Sequence, residues 1–119
     1  MPLKDKITEE FLLALKEAEK ELSVMLFHKY SFLEKGPAYY VEYKRESSIV
    51  EFLFGPSDWD IEMIIYTSKG KFAFKDLLQD PDIMAWVNKN KYIQQNGRNL
   101  KAEMSWVMEL LKFSLPIIE

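Results

Sequence analysis

The chain has 119 residues, 48% apolar and 29% charged, and contains no cysteine. This composition is typical of one folded domain, which we expect to span residues 1–119, and it excludes disulfides, thiolate nucleophiles and zinc sites built from cysteine. The net charge of −3 is evenly spread, because the segments 1–36, 37–75 and 76–119 each carry one more acidic than basic side chain. Without a cluster of lysine and arginine, neither a nucleic acid nor an anionic membrane is an expected partner.

The N-terminal segment has the apolar spacing of a helix. Thr8 is a plausible N-cap, apolar residues recur at steps of three and four from Phe11 to Leu33, and Gly36-Pro37 would end the helix. The part from Val24 to Phe32 is richer in apolar and aromatic residues, so a break near Ser23 or a short strand there is an alternative. Because the segment is acidic and amphipathic rather than a signal sequence, we expect a cytoplasmic protein.

Four segments in the middle of the chain show the two-residue alternation of side chains that is typical of strands. They cover residues 39–44, 48–54, 58–66 and 71–75. The connections between them are short, and Gly70 supplies a turn residue that tolerates positive φ. This order predicts a four-stranded antiparallel meander.

The C-terminal segment returns to the spacing of helices. Asp76-Leu77-Leu78 starts a turn, and Asp80-Pro81 matches an N-cap followed by proline at the first helical position. In the short helix that follows, the side chains that would face inward are Ile83, Trp86 and Val87. Asn99 would cap a last helix that ends at Pro116. We therefore predict an α+β fold, with an N-terminal helix and two to three C-terminal helices packed on one face of the sheet.

No motif for catalysis or cofactor binding is present. His28 is the only histidine, and no nucleophile elbow or second activating group accompanies it. The four glycines are isolated from one another, which excludes a P-loop and a dinucleotide-binding fingerprint. We therefore expect a protein that is not an enzyme and that binds no cofactor.

Three acidic residues form the one charged feature with a regular spacing. On a strand, Asp58, Asp60 and Glu62 would place their carboxylates on the same face, about 6.6 to 6.8 Å apart in succession. The carboxylates could simply be solvated, could form an acidic patch for a basic partner, or could bind Mg²⁺ or Ca²⁺. A metal site would need further ligands from a neighbouring strand.

The two faces of the predicted sheet differ in character. The face toward the helices would carry Val41, Tyr43, Val50, Phe52, Phe54, Trp59, Ile61, Met63, Ile65, Phe72 and Phe74. The other face would carry Tyr40, Ile49, Leu53, Ile64 and Tyr66 beside Glu42, Glu51, Asp58, Asp60 and Glu62. A half-apolar, acidic surface with aromatic anchors is typical of an interaction site, although another helix or a second copy of the chain could cover it.

The element order and a few short segments resemble small bacterial immunity proteins of polymorphic toxin systems. The segments are residues 54–60 (FGPSDWD), Asp76-Leu77-Leu78 and Trp86-Val87. The resemblance implies a cytoplasmic protein that blocks one cognate toxin, often a cationic nuclease, through an acidic and aromatic face. We therefore predict a protein-binding inhibitor whose partner-binding residues are Asp58, Asp60, Glu62 and Tyr66. The alternatives are a metal-dependent hydrolase that uses the same carboxylates and a homodimeric structural protein.

Overall fold

The computed structural model describes residues 3–35, 38–55, 61–90 and 99–119. Its elements are α1 (Leu3–Val24), β1 (His28–Lys35), β2 (Ala38–Arg45), β3 (Ser48–Phe54), β4 (Ile61–Thr67), β5 (Gly70–Phe72), α2 (Phe74–Leu77), α3 (Pro81–Lys89) and α4 (Leu100–Ile118). The strands form one antiparallel sheet in the order β1-β2-β3-β4-β5. The predicted α+β class, the antiparallel sheet and the helices at both ends are confirmed, but the predicted number of four strands is wrong.

The additional strand lies within the segment predicted to continue the first helix. Helix α1 ends at Val24, where Leu26 adopts φ +72° and the N–H of Phe27 donates to the carbonyl of Leu22 at 2.8 Å. This is the hydrogen bond of a Schellman motif, with leucine at the left-handed position that glycine usually occupies. The absence of a glycine hid the helix end in the sequence. The alternative of a break followed by a strand is therefore the correct interpretation.

Other boundaries also differ from the sequence-based prediction. Helix α1 begins at Leu3, so Thr8 is not its N-cap. Strand β5 stops at Phe72, because Asp76 accepts a hydrogen bond from the N–H of Ala73 at 2.8 Å and the chain turns into α2. Helix α4 continues through Pro116 to Ile118. A proline in the last turn removes only one hydrogen bond from the helix, which explains why the helix does not stop there.

The caps predicted for the two longer C-terminal helices are confirmed. The side chain of Asp80 accepts from the N–H groups of Asp82 and Ile83, and that of Asn99 accepts from the N–H of Ala102 at 3.0 Å. Both caps satisfy N–H groups that a helix leaves without an internal partner. The starts of α3 and α4 are thus encoded locally.

The core lies between the helices and one face of the sheet. Strand β3 shows the pattern most clearly, because Val50, Phe52 and Phe54 are fully buried while the residues between them are half-buried. Phe11 of α1 stacks on Phe54, with ring centroids 4.4 Å apart and planes at 4°. Helices α1 and α4 also pack against each other. The inward set predicted from the sequence is buried wherever it lies in β2, β3 and β4.

The inward set is less uniform at the end of the meander. Phe72 faces the core as predicted, in register with the buried Ile65, and is half-buried against it. Phe74 belongs to α2 rather than to a strand, and 44% of it is exposed. Trp59 lies outside the described residues.

Candidate functional site: the open face of the sheet

The sheet face that points away from the core is called the open face here. Cross-strand register arranges its side chains in three rows. The first row is Lys44, Ile49, Tyr66 and Lys71, the second is Glu42, Glu51 and Ile64, and the third is Leu33, Tyr40, Leu53 and Glu62. These side chains are half-buried or exposed, in contrast to the buried residues that alternate with them. The described helices therefore pack on one side of the sheet and leave this side accessible.

Two glutamates form the centre of the open face. Glu42 and Glu51 are direct cross-strand partners, so two like charges stand opposite each other. The hydroxyl of Tyr66 donates a long hydrogen bond of 3.5 Å to Oε1 of Glu51. The ammonium of Lys71 lies 5.9 Å from the centre of the Tyr66 ring. The result is a small cluster in which carboxylate, phenol and ammonium groups influence one another.

The pKa values of this cluster reflect that arrangement. Partial burial and the charge of Glu42 raise the pKa of Glu51, and the contacts with Tyr66 and Lys71 only partly offset this. The pKa of Tyr66 is also raised, first by partial burial and then by the charges of Glu51 and Glu42. Both groups therefore hold their protons more tightly than they would in an exposed side chain.

The structure separates the predicted partner-binding residues that it describes. Glu62 is exposed in the third row near the start of β4, and Tyr66 is half-buried in the first row near its end. Four residue steps along a strand correspond to about 13 Å, so the two side chains do not form one cluster. Asp58 and Asp60 lie outside the described residues. Sequence reasoning missed Glu42 and Glu51 as the central pair because only the register between strands places them opposite each other.

The open face is less uniformly acidic than the sequence suggested. Lys44 and Lys71 belong to its first row, and the ammonium of Lys44 lies 5.2 Å from the centre of the Tyr30 ring. Their place on this face follows from the alternation of β2 and β5, a signal that was present in the sequence. The face thus has a basic row beside an acidic one.

Aromatic residues form a second exposed feature, on the helical side of the molecule. The ring of Trp106 lies 6.3 Å from Phe74 and 6.0 Å from Trp86, and Trp86 stacks on Phe113 at 5.7 Å. We call these four residues the aromatic ridge. Trp86, which was expected to face the core, is half-buried and packs against the core as well as contributing to this ridge. The spacing of Trp106 and Phe113, seven positions apart on α4, was the only sequence signal for it.

The described residues test the predicted metal site only in part. Within the described ranges, no group of three or more histidine or acidic side chains is placed to hold a metal ion. His28 is exposed at the start of β1, in register with Lys44. The hypothesis of a metal site at Asp58, Asp60 and Glu62 depends on two residues outside the described ranges and stays a prediction.

No helix among the described residues combines the length and the apolar character needed to cross a bilayer. Comparison with protein-family models, with curated proteins and with solved structures finds no match to this chain. What the protein does is therefore inferred from the chemistry of its surfaces.

Proposed function

We propose that the chain is a non-enzymatic protein-binding domain, most specifically an immunity-type inhibitor that neutralises a toxin through the open face. The observation that carries this proposal is the Glu42–Glu51 pair, held opposite each other beside Tyr66 on an accessible sheet. Like charges at directly opposed positions destabilise a sheet. Local arrangements that cost stability are typical of functional sites, because a ligand can relieve the cost.

A cationic side chain of a partner supplies the missing charge. An arginine or lysine inserted between Glu42 and Glu51 would form charge-assisted hydrogen bonds with both carboxylates. The neighbouring residues Ile49, Leu53 and Ile64 provide apolar surface around that contact, and Tyr66 provides an aromatic anchor. The surface therefore has the polar and apolar parts that a protein interface needs.

The charge pattern also restricts how a partner binds. Lys44 and Lys71 repel a basic partner from the first row, and Glu42, Glu51 and Glu62 attract it to the second and third rows. Asp58 and Asp60 precede β4 in the chain and would add to the attraction. Such asymmetry steers association and fixes orientation more than it adds affinity.

The resemblance to immunity proteins gives the partner's class. A basic toxin domain, such as a nuclease that binds phosphates, would carry the arginine and lysine that the acidic rows attract. Inhibition would then follow because the same basic residues are needed by the toxin for its substrate. The cytoplasm, where such toxins act, is the location that this function requires.

Partner capture followed by titration with purified components tests the proposal. The binding partner is captured from the cells that make this protein, identified and purified, and its affinity is measured by calorimetry at several salt concentrations. We expect Glu42→Gln combined with Glu51→Gln to weaken binding at least tenfold and to reduce its salt dependence. Glu10→Gln combined with Glu17→Gln, at exposed positions of α1, is the charge-matched control. Unchanged affinity and salt dependence in the double variant would show that the open face is not the binding site.

The predicted residues require a separate variant. Asp58→Ala, Asp60→Ala and Glu62→Ala together should slow association and leave dissociation nearly unchanged, because rim charges act mainly on the encounter. Tyr66→Ala should instead accelerate dissociation, since it removes a buried anchor. Equal effects of both variants on both rates would contradict these roles.

The half-apolar open face also favours a second candidate, a homodimer formed through this surface. Sedimentation velocity at micromolar concentration would then show a dimer that dissociates when Ile64→Lys places a charge among Ile49, Leu53 and Tyr66. A chain that stays monomeric at this concentration would exclude this candidate.

A further inference from the structure

A groove runs beside β4, on the side opposite β3. It has a volume of 680 Å³ and lies between the first half of β4, the segment 73–77 and helix α4. The floor contains the buried residues Leu77, Val107 and Leu110, and the walls include Phe74 and Trp106. The groove is therefore apolar at its base, with part of the aromatic ridge as its rim.

The groove exists because β5 covers only part of β4. Pairing between these strands ends at Ile65 and Phe72, after which the chain leaves the sheet and forms α2. Among the described residues, 61–64 of β4 consequently have a strand on one side only. A sheet edge presents backbone N–H and C=O groups that can pair with another extended chain.

The hydrogen-bonding groups of this edge can be assigned from the register. The N–H of Ile61 donates to Oε1 of Glu103 at 2.9 Å and so points away from β3. The direction of the backbone N–H groups alternates along an antiparallel strand, so the N–H of Met63 points toward the groove as that of Ile61 does. Met63 has no partner in the β4–β5 pairing, and none of the turn, loop and cap hydrogen bonds among the described residues uses its N–H. One backbone donor and its neighbouring carbonyl groups are thus available at the wall of an apolar groove.

We propose that this groove binds a short extended segment of a partner protein, which adds a strand beside residues 61–64. The segment would carry an apolar side chain opposite Met63 and a basic side chain opposite Glu62. This surface shares Glu62 with the open face but lies apart from the Glu42–Glu51 pair that carries the proposed function, and the inference does not depend on that function. Recognition by strand addition uses backbone hydrogen bonds for affinity and alternate side-chain pockets for specificity.

The side-chain preference follows from which way each strand residue points. A residue opposite Met63 points to the core side of the sheet, where the groove offers Phe74, Trp106 and Val107. A residue opposite Glu62 points to the other side and meets a carboxylate that forms no ion pair with any described residue. Opposite charges at facing positions stabilise a strand pair. Lys75 lies on the α2 wall of the groove, so the preference for a basic side chain opposite Glu62 is tested with its own variant.

The apolar wall is held in place before any ligand arrives. The indole N–H of Trp106 donates to the carbonyl of Asn90 at the end of α3. Its ring is also supported by contacts with Trp86 and Phe74. A preorganised wall reduces the entropy that binding must overcome.

A second copy of the chain fits this edge poorly. Antiparallel pairing centred on Met63 places Ile61 opposite Ile65 of the second copy, whose edge is already occupied by Phe72. Pairing centred on Glu62 places two glutamates opposite each other and requires the N–H of Ile61, which Glu103 holds. A separate extended peptide can end before Ile65 and can place a basic side chain opposite Glu62, and its hydrogen bonds with Met63 do not require the N–H of Ile61. The occupant is therefore a segment of another protein.

The test uses acetylated and amidated six-residue peptides of alternating valine and lysine, titrated into the isotope-labelled full chain. We expect shifts of the amides at 61–64 and 73–75 and of the Trp106 indole, and slower hydrogen exchange of the Met63 amide. N-methylation of the valines should abolish binding, because a valine opposite Met63 directs its N–H toward β4. N-methylation of the lysines is the matched control, since their N–H groups point away and binding should persist.

Charge preference is tested with one protein variant and one further peptide. Replacing lysine by glutamate in the peptide should weaken binding about two- to fivefold, and Glu62→Lys should reverse the preference between the two peptides. Glu17→Lys on α1, outside the groove lining, should leave both affinities unchanged.

Several results would overturn the inference. These are protection of the Met63 amide in the free protein, equal binding of the valine-methylated peptide, no shift at the highest soluble peptide concentration, shifts confined to Glu51 and Tyr66, or a dimer whose interface is residues 61–64. None of these measurements uses a variant of the Glu42–Glu51 pair. The groove and the proposed function can therefore fail independently.

Discussion

Glu42 of β2 and Glu51 of β3 lie directly opposite each other, and Tyr66 of β4 donates a 3.5 Å hydrogen bond to the second carboxylate. Sheets normally place opposite charges, or no charges, at such positions. The pair therefore destabilises the folded protein locally. Neutralising one of its carboxylates should raise the stability of the free protein and weaken the binding of a partner.

Neutralising one member of this pair should stabilise the free protein. We expect Glu51→Gln to increase the free energy of unfolding at pH 7 by about 0.2 to 1 kcal/mol, since it removes the repulsion by Glu42. Urea denaturation would measure this change, with Glu17→Gln as the control at an exposed helical position. A destabilised Glu51→Gln protein would contradict the assigned repulsion.

The same pair gives a pH dependence with a defined sign. The folded protein raises the pKa of Glu51 above its ordinary value of 4.5, so the folded state binds that proton more tightly than the unfolded state. Ionised Glu51 therefore lowers the free energy of unfolding at pH values above the pKa of the folded state. This destabilisation disappears at low pH, where Glu51 is protonated in both the folded and the unfolded state. The advantage of Glu51→Gln should be full at neutral pH and should vanish below pH 4.5. An advantage that grew as the pH fell would have the wrong sign.

Tyr43 and Glu19 form a contact between the sheet and α1 that should be measurable. The buried hydroxyl of Tyr43 donates to Oε2 of Glu19 at 2.8 Å, and Lys29 bridges to the same oxygen at 2.8 Å. Tyr43→Phe should lower the free energy of unfolding by about 1 to 2 kcal/mol at pH 7. Tyr40→Phe, on the open face, is the matched control and should change stability by less than about 0.5 kcal/mol.

Tyr43 should also contribute to alkaline unfolding. Burial and the carboxylate of Glu19 raise its pKa, so the folded state keeps the phenol protonated where the unfolded state ionises. This contribution is fully present below the ordinary tyrosine pKa of 10.0 and is lost as the pH rises above that value. The stability difference between wild type and Tyr43→Phe should consequently shrink above pH 10. A difference that stayed constant up to pH 12 would exclude the linkage.

Arg45 should be among the most sensitive charged residues for stability. Its guanidinium donates to the carbonyl of Met25 at 3.0 Å, pairs with Glu119 and lies 4.7 Å from the centre of the Phe27 ring. It thus joins β2, the end of α1 and the end of α4. We expect Arg45→Ala to cost about 2 kcal/mol, and the neighbouring Lys44→Ala less than about 0.5 kcal/mol. Similar losses for both would mean that the guanidinium contacts contribute nothing specific.

Leu26 offers a simple test of the helix end that the sequence did not reveal. Its φ of +72° is unfavourable for a residue with a Cβ, and 67% of its side chain is exposed. Leu26→Gly should therefore raise the free energy of unfolding by about 1 kcal/mol. Val24→Gly, at the exposed last residue of α1, should instead lower it by a similar amount. Thermal unfolding of the two variants distinguishes these effects, and destabilisation by Leu26→Gly would argue against the left-handed cap.

Much of the fold followed from local pattern. Alternation placed Val50, Phe52 and Phe54 on the buried face correctly, because side chains on a strand alternate regardless of what packs on them. Asp80 and Asn99 were identified as caps since capping depends only on nearby N–H groups. Strand β1 was predicted only as an alternative to a longer helix, because its local pattern was ambiguous. Tyr30, Phe32 and Leu33 lie on an edge strand where large apolar side chains stay partly exposed, so their spacing resembled that of a helix.

The sequence by itself determined the fold class, the residues of the core and the absence of recognisable catalytic motifs. It determined these because period, capping and composition are properties of neighbouring residues. Only the tertiary structure decided that Glu42 meets Glu51, that Glu62 and Tyr66 lie at opposite ends of β4, and that β5 does not extend along residues 61–64. Register between strands and the point at which a strand stops depend on contacts between distant segments, which no local pattern contains.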